Sequence, residues 1–249
     1  MADSNEGQGL VITFSQRKGG VGKTLTTLGL STELAYRGYQ VVVLDCEEKQ
    51  TALPDFAEDY SRANYSVISG VKTDNIGKCV RKAKQEGADF VIIDTPGGMD
   101  TVAYKAIQFA HFCIIPASIS YVDVAAVLDT HSDIVDAGET LPHDVPHALL
   151  WTKVDSQFPS KEMLEIEKQA RHDGELDVFR TRIVRRNIFE SMFSYSQDIY
   201  ELAENSAVNK GRSKPQQIER FAENFRELAD ELLEKLAATG VISLTGDAA

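Results

Sequence analysis

A chain of 249 residues, 43% hydrophobic and 26% charged, is long enough to bury one substantial core and lies within the range of a single α/β domain. Its formal net charge of −12 opposes long-range attraction to DNA or to an anionic membrane, so any such contact has to come from a local patch. Cys46, Cys79 and Cys113 show no CxxC or Cys/His spacing, which argues against a disulfide framework and a zinc site, and no apolar run reaches the roughly 18 residues of a membrane span. A cytoplasmic protein with no membrane partner is expected.

The polar stretch 1–9 lacks the basic and apolar regions of a signal peptide and is predicted to be a disordered tail. Leu10 to Phe14 then reads as a buried strand, and a helical pattern runs from Lys23 to Arg37. Between them lies Gln16-Arg17-Lys18-Gly19-Gly20-Val21-Gly22-Lys23-Thr24, the strand–loop–helix context of a phosphate-binding loop. The glycines let successive N–H groups turn toward phosphate oxygens, and the helix start, through Leu25, adds its positive end. Lys23 can reach the β and γ phosphates, and the Thr24 hydroxyl can ligate Mg²⁺. The strict pattern G-x-x-x-x-G-K-[ST] fails only at its first position, which Arg17 occupies.

Further strands are predicted at Val41 to Leu44, Phe90 to Ile93, Phe112 to Ile115 and Ala148 to Trp151. Helical patterns cover Asn75 to Glu86, Thr101 to Ala110, Val122 to Ala137 and Lys161 to His172. This alternation implies βαβ units in a mostly parallel twisted sheet with helices on both faces, and with the phosphate-binding loop it gives an α/β P-loop NTPase fold formed by one domain over 10–238. Ligands in such sheets sit beyond the carboxyl ends of the strands, where Asp45 follows the second strand and Asp94 the next. Asp94, followed by Thr95-Pro96-Gly97-Gly98, has the Walker B arrangement and would hold Mg²⁺ through water. The last helix carries Ile218, Phe221, Ala222, Phe225, Leu228, Ala229, Leu232, Leu233 and Leu236 on one stripe. Its polar face is mainly acidic, the wrong sign for anionic lipid, so the stripe is expected to pack on the core. Residues 239–249 are predicted to be a flexible tail.

Lys18-Gly19-Gly20-Val21-Gly22-Lys23-Thr24 resembles the deviant Walker A motif K-G-G-x-G-K-T of the ParA/MinD ATPases, and the similarity extends over nearly the whole chain. The resemblance implies ATP and Mg²⁺ as ligands and a homodimer in the ATP state, with Lys18 reaching the partner's nucleotide. It makes Lys18, Lys23 and Glu47 the catalytic candidates and Thr24, Asp45 and Asp94 the metal set. Asp45-Cys46-Glu47 stands where that family usually reads D-x-D-P-Q; Glu47 keeps the charge but adds a methylene, and a displacement near 1 Å can cost on the order of 10²-fold in rate. Slow hydrolysis stimulated by DNA and a ParB-like or other adaptor is the corresponding expectation, in DNA partition or the positioning of cargo.

Two runs leave alternatives open. Thr152-Lys153-Val154-Asp155 resembles the guanine-specificity motif of signal-recognition-type GTPases, which would place Thr152 and Asp155 at the base, whereas the ParA/MinD resemblance implies ATP. Phe179 to Asn187 is a basic island, and Lys210, Arg212 and Lys214 follow a short helix; the island resembles a T-R-I-x-x-R stretch of short ParA and VirC-like partition proteins. That resemblance implies nonspecific DNA contact through Arg182, Arg185, Arg186, Arg212 and Lys214 and nucleoid association in the ATP state; the other reading pairs these cations with surface acids. Three functions therefore stand: an ATP-dependent positioning switch, a targeting-type GTPase, and a nonhydrolysing protein clamped by nucleotide. An iron–sulfur reductase sharing this loop is disfavoured, because Cys113 lies in an apolar strand and Cys46 beside the loop carboxylate.

Overall fold

A computed structural model describes residues 9–47, 52–60, 62–98, 100–118, 121–154, 161–173, 176–185, 188–205 and 215–241. In chain order the elements are β1 (Leu10–Phe14), α1 (Lys23–Tyr36), β2 (Val41–Asp45), α2 (Ala52–Asp59), β3 (Tyr65–Ile68), α3 (Ile76–Gln85), β4 (Phe90–Asp94) and α4 (Thr101–Phe109). They continue as β5 (Phe112–Ala117), α5 (Tyr121–Glu139), β6 (His147–Trp151), α6 (Lys161–Asp173), β7 (Asp177–Val178), α7 (Ile188–Tyr195), α8 (Ile199–Glu204) and α9 (Pro215–Ala238). All paired strands are parallel, in the order β3-β2-β4-β1-β5-β6-β7.

Strand side chains alternate between two covered faces, which is why the strands read as continuous apolar runs. Ile12, Phe14, Val43, Ile92, Ile114 and Leu150 join α1, α2, α7, α8 and α9 in one core. On the opposite face, Val11, Val91 and Ile93 meet α3 and α4, and Cys113, Ile115, Leu149 and Trp151 meet α5 and α6. The predicted apolar stripe of α9 is spent on the first core: Ile218, Phe221, Phe225, Leu228 and Leu232 are buried there. Gly29 of α1 leaves the notch that admits the Phe225 ring; a Cβ at that position would lie 2.1 Å from Phe225 Cζ.

Sequence periodicity did not isolate β3, β7, α2, α7 or α8. Strand β3 has four residues, and β7 has two whose pairing with β6 is set by tertiary contact. Helix α2 carries Pro54 in its first turn, where proline is tolerated although it interrupts the pattern. The tail predictions lie mostly outside the described residues, which begin at Gly9 and end at Val241.

Candidate nucleotide site

The sheet brings three strand ends together at its centre. Phe14 of β1 and Asp45 of β2 both align with Asp94 of β4, so the loop after β1 emerges beside the two carboxylates. Gly20 and Gly22 take φ of 76° and 99°, the left-handed region that a Cβ disfavours, and Gly22 caps α1 without a side-chain acceptor. The first N–H groups of α1 therefore have no side-chain cap at this end. A Cβ added at Gly19 or Gly20 would meet nothing within 4 Å, so the loop opens onto free space. By contrast, one added at Gly97 would lie 3.0 Å from Gly19 Cα: the loop after β4 presses directly on the phosphate loop.

The chemistry of such a loop needs a cation and a metal-binding acid, and the geometry supplies both types of group. Lys23 is nearly buried, with Nζ 3.4 Å from the Gln16 and Lys18 carbonyls. Burial lowers its pKa against the opposing pull of Asp94 and Glu47. Asp94 is 1% exposed and accepts from the Thr24 hydroxyl at 2.7 Å and the Thr27 hydroxyl at 3.3 Å. Burial pushes its pKa up to about 7, opposed by Thr24 and by the Lys23 charge and reinforced by Asp45. Asp45 is buried as well; its pKa is raised by burial, and its Oδ1 accepts from the Glu47 N–H at 3.0 Å. Among the described residues no cluster of three or more His, Cys, Asp or Glu side chains could hold a metal. The set of Thr24 hydroxyl and two buried carboxyls nevertheless suits Mg²⁺, which takes few protein oxygens and completes its shell with water and phosphate.

Two clefts flank the loop. One, of about 310 Å³, is lined by Lys18, Gly19, Gly20, Ser118, Lys153 and Arg185. The other, of about 500 Å³, lies on the β2 side, where Glu47, Lys72, Thr73, Pro96 and Asp100 contribute. Leu25 belongs to the start of α1, and its side chain packs against the first core. Thr152 is buried and donates its hydroxyl to the Val21 carbonyl at 2.5 Å, which ties the end of β6 to the phosphate loop. Asp155, Arg186, Arg212 and Lys214 lie outside the described residues. Arg182, expected on a DNA surface, instead pairs with Glu167 at 3.1 Å, with both side chains largely covered. Its charge is balanced inside the fold because α6 packs an acid against it. The neighbouring Arg180 likewise meets Glu231 and Glu234.

Sequence reasoning left Arg17 without a role. Its guanidinium forms a two-pronged pair with Asp133 of α5, at 2.6 Å on each side, and the Asp133 hydrogen bonds raise its pKa. The Arg17 N–H donates to the Thr130 hydroxyl, which in turn donates to Gln16 Oε1. The loop entry is thus fastened to α5 across more than a hundred residues of sequence, a contact no periodicity could reveal.

A glycine loop opening a helix, with a buried lysine inside it and two strand-end carboxyls beside it, defines a P-loop nucleotide-binding protein. Sequence comparison narrows that class. The chain belongs to the VirC1 protein family, whose model matches residues 10–238. It is 24% identical to protein ParA of Rhizobium radiobacter over 226 residues, covering 91% of this chain and 97% of that one. Identity to the chromosome-partitioning ATPase Soj of Thermus thermophilus is 25% over 255 aligned positions, with 90% and 96% covered. The ATP complex of a McdA variant from Cyanothece shares the fold, with a TM-score of 0.64 at 16% identity over 96% of this chain and 99% of that one. The relatives are ParA/MinD-type ATPases.

Proposed function

We propose that this chain is a switch that binds ATP with Mg²⁺, pairs with a second copy of itself, and in that state holds nonspecific DNA while an adaptor recruits cargo. Residues 10–238 act in this reading as one domain. The observation that carries it is the gathering of Lys18, Lys23, Lys153 and Arg185 around an open glycine loop in a chain of net charge −12. Such a concentration of cations favours a polyphosphate.

The loop N–H groups and Lys23 bind the β and γ phosphates, and Thr24 and Asp94 hold the metal, with Asp45 nearby. Held there, Mg²⁺ would supply positive charge against the phosphates. Lys18 extends from the cleft edge to the partner's phosphates, so the dimer closes only over nucleotide. Glu47 orients the attacking water, and its extra methylene makes hydrolysis slow until an adaptor of the ParB type and DNA adjust the loop. DNA contact, and with it nucleoid association, falls to the basic set Arg182, Arg185, Arg186, Arg212 and Lys214, of which Arg182 also pairs with Glu167.

The test is solution mass by light scattering for wild type and Lys18→Ala with ATP, GTP or no nucleotide, with duplex DNA in a parallel series. The expected result is doubling of wild-type mass and DNA retention with ATP only, both lost in the Lys18 variant. Doubling with GTP instead would favour the targeting-type GTPase. Doubling with ATP but no multiple-turnover phosphate release, even with DNA and adaptor, would favour the nonhydrolysing clamp.

A further inference from the structure

Two successive carbonyls of the phosphate loop are held from the β6 side. Thr152 donates to the Val21 carbonyl at 2.5 Å, and the Lys153 ammonium donates to the Gly20 carbonyl at 2.5 Å. Lys153 does this from a left-handed backbone, φ 55°, a conformation that non-glycine residues adopt only when their surroundings impose it. The surroundings do so here. Thr152 N–H donates to the Ala117 carbonyl at 2.8 Å and Val154 N–H to the Ile183 carbonyl at 3.1 Å, while Val154 accepts from Arg185 N–H at 2.8 Å. With both neighbours pinned to other segments, the chain must turn at Lys153, and that turn aims the side chain at the loop.

The direction of those carbonyls fixes more than two hydrogen bonds. In a planar trans peptide the C=O and the following N–H point opposite ways. Holding the Gly20 and Val21 oxygens toward β6 therefore turns the Val21 and Gly22 N–H groups away from it. Glycines at 20 and 22 would otherwise leave these peptides free to rotate.

We propose that Lys153 is a positioning residue for the phosphate loop: it sets the Gly20–Val21 peptide so that its N–H meets a nucleoside polyphosphate, and it does not read the base. The proposal rests on the nucleotide-binding reading above. It gives Lys153 a function toward phosphate, common to ATP and GTP, apart from the base contact that the resemblance to a guanine-specificity motif offered for Thr152 and Asp155. Its side chain also lines the cleft shared with Lys18 and Arg185.

The test is a fluorescence titration of wild type, Lys153→Met, Lys153→Gln and Lys153→Arg with methylanthraniloyl ATP and GTP, with AMP as unlabelled competitor. Loss of one charged hydrogen bond weakens ATP binding by about tenfold. The Met and Gln variants are expected to lose this for both triphosphates alike, keep the wild-type ATP-to-GTP ratio and bind AMP as before; the Arg variant recovers most of the loss. Thermal unfolding without nucleotide identifies variants that fold, and the Gln variant serves if Met does not. Wild-type ATP affinity in a folded Met or Gln variant, a changed ATP-to-GTP ratio, or an equal loss for AMP would each overturn the proposal. Failure of wild type to bind either triphosphate would instead sink the underlying nucleotide reading, and this inference with it.

Discussion

Replacing Asp94 by asparagine is expected to stabilise the nucleotide-free protein while removing its response to magnesium. In the wild type this carboxyl is 1% exposed and its pKa is raised by burial from 3.8 to about 7. At 1.36 kcal/mol per pH unit, that rise is a penalty of about 4 kcal/mol on the ionised folded state. Asparagine carries no charge to desolvate and keeps an oxygen for the Thr24 hydroxyl. The attraction of Lys23 is already contained in that pKa, so the gain expected at pH 8 is about 4 kcal/mol. The sign follows from linkage. Below pH 3.8 both states of wild type hold the proton and the two proteins should match; the penalty grows as pH rises to about 7 and stays constant above it. Urea unfolding of both proteins from pH 4 to pH 8, without nucleotide, reads this directly. Adding Mg²⁺ to either protein already saturated with ATP at pH 8 should raise the midpoint of wild type further and leave that of Asp94→Asn unmoved. A stability difference that ignores pH, or an asparagine variant less stable than wild type at pH 8, would refute the argument.

Two further outcomes concern the packing of α9. Gly29→Ala forces a methyl into the Phe225 ring and is expected to cost about 3 kcal/mol in urea unfolding; Phe225→Leu in the same chain should return part of it. Glu231→Ala removes the acceptor for the Arg180 and Thr181 N–H groups, at 2.8 and 2.9 Å, and for the Thr181 hydroxyl. A loss of about 3 kcal/mol is expected, smaller for Glu231→Gln; a change under about 0.5 kcal/mol would mean water replaces the carboxylate.

The central strands were legible because burial on both faces writes them as unbroken apolar runs, and two of them end in a residue with a recognisable role, Asp45 or Asp94. The phosphate loop was legible because its chemistry is local: glycines, lysine and threonine within one turn. Elements defined by what they touch were not. Strand β3 is half covered, β7 exists only through its two pairings with β6, and the Arg17–Asp133 tie joins positions with no shared pattern. The partner of Arg182 was hidden for the same reason. This arginine's sequence neighbours are basic, but its spatial neighbour is Glu167 of α6. Lys153 was visible as part of a motif, yet its object could be found only once the left-handed turn showed where the ammonium goes.

The seating of Phe225 against Gly29 also bears on how the protein is made. Helix α1 begins at the phosphate loop and is synthesised before α9, whose Phe225 ring roofs it. Every described group of the nucleotide site can therefore be outside the exit tunnel while the helix that launches the loop still shows Leu28 and Gly29 without their α9 partners. A chain that stops before α9 therefore carries its phosphate loop on a helix with no roof over Gly29.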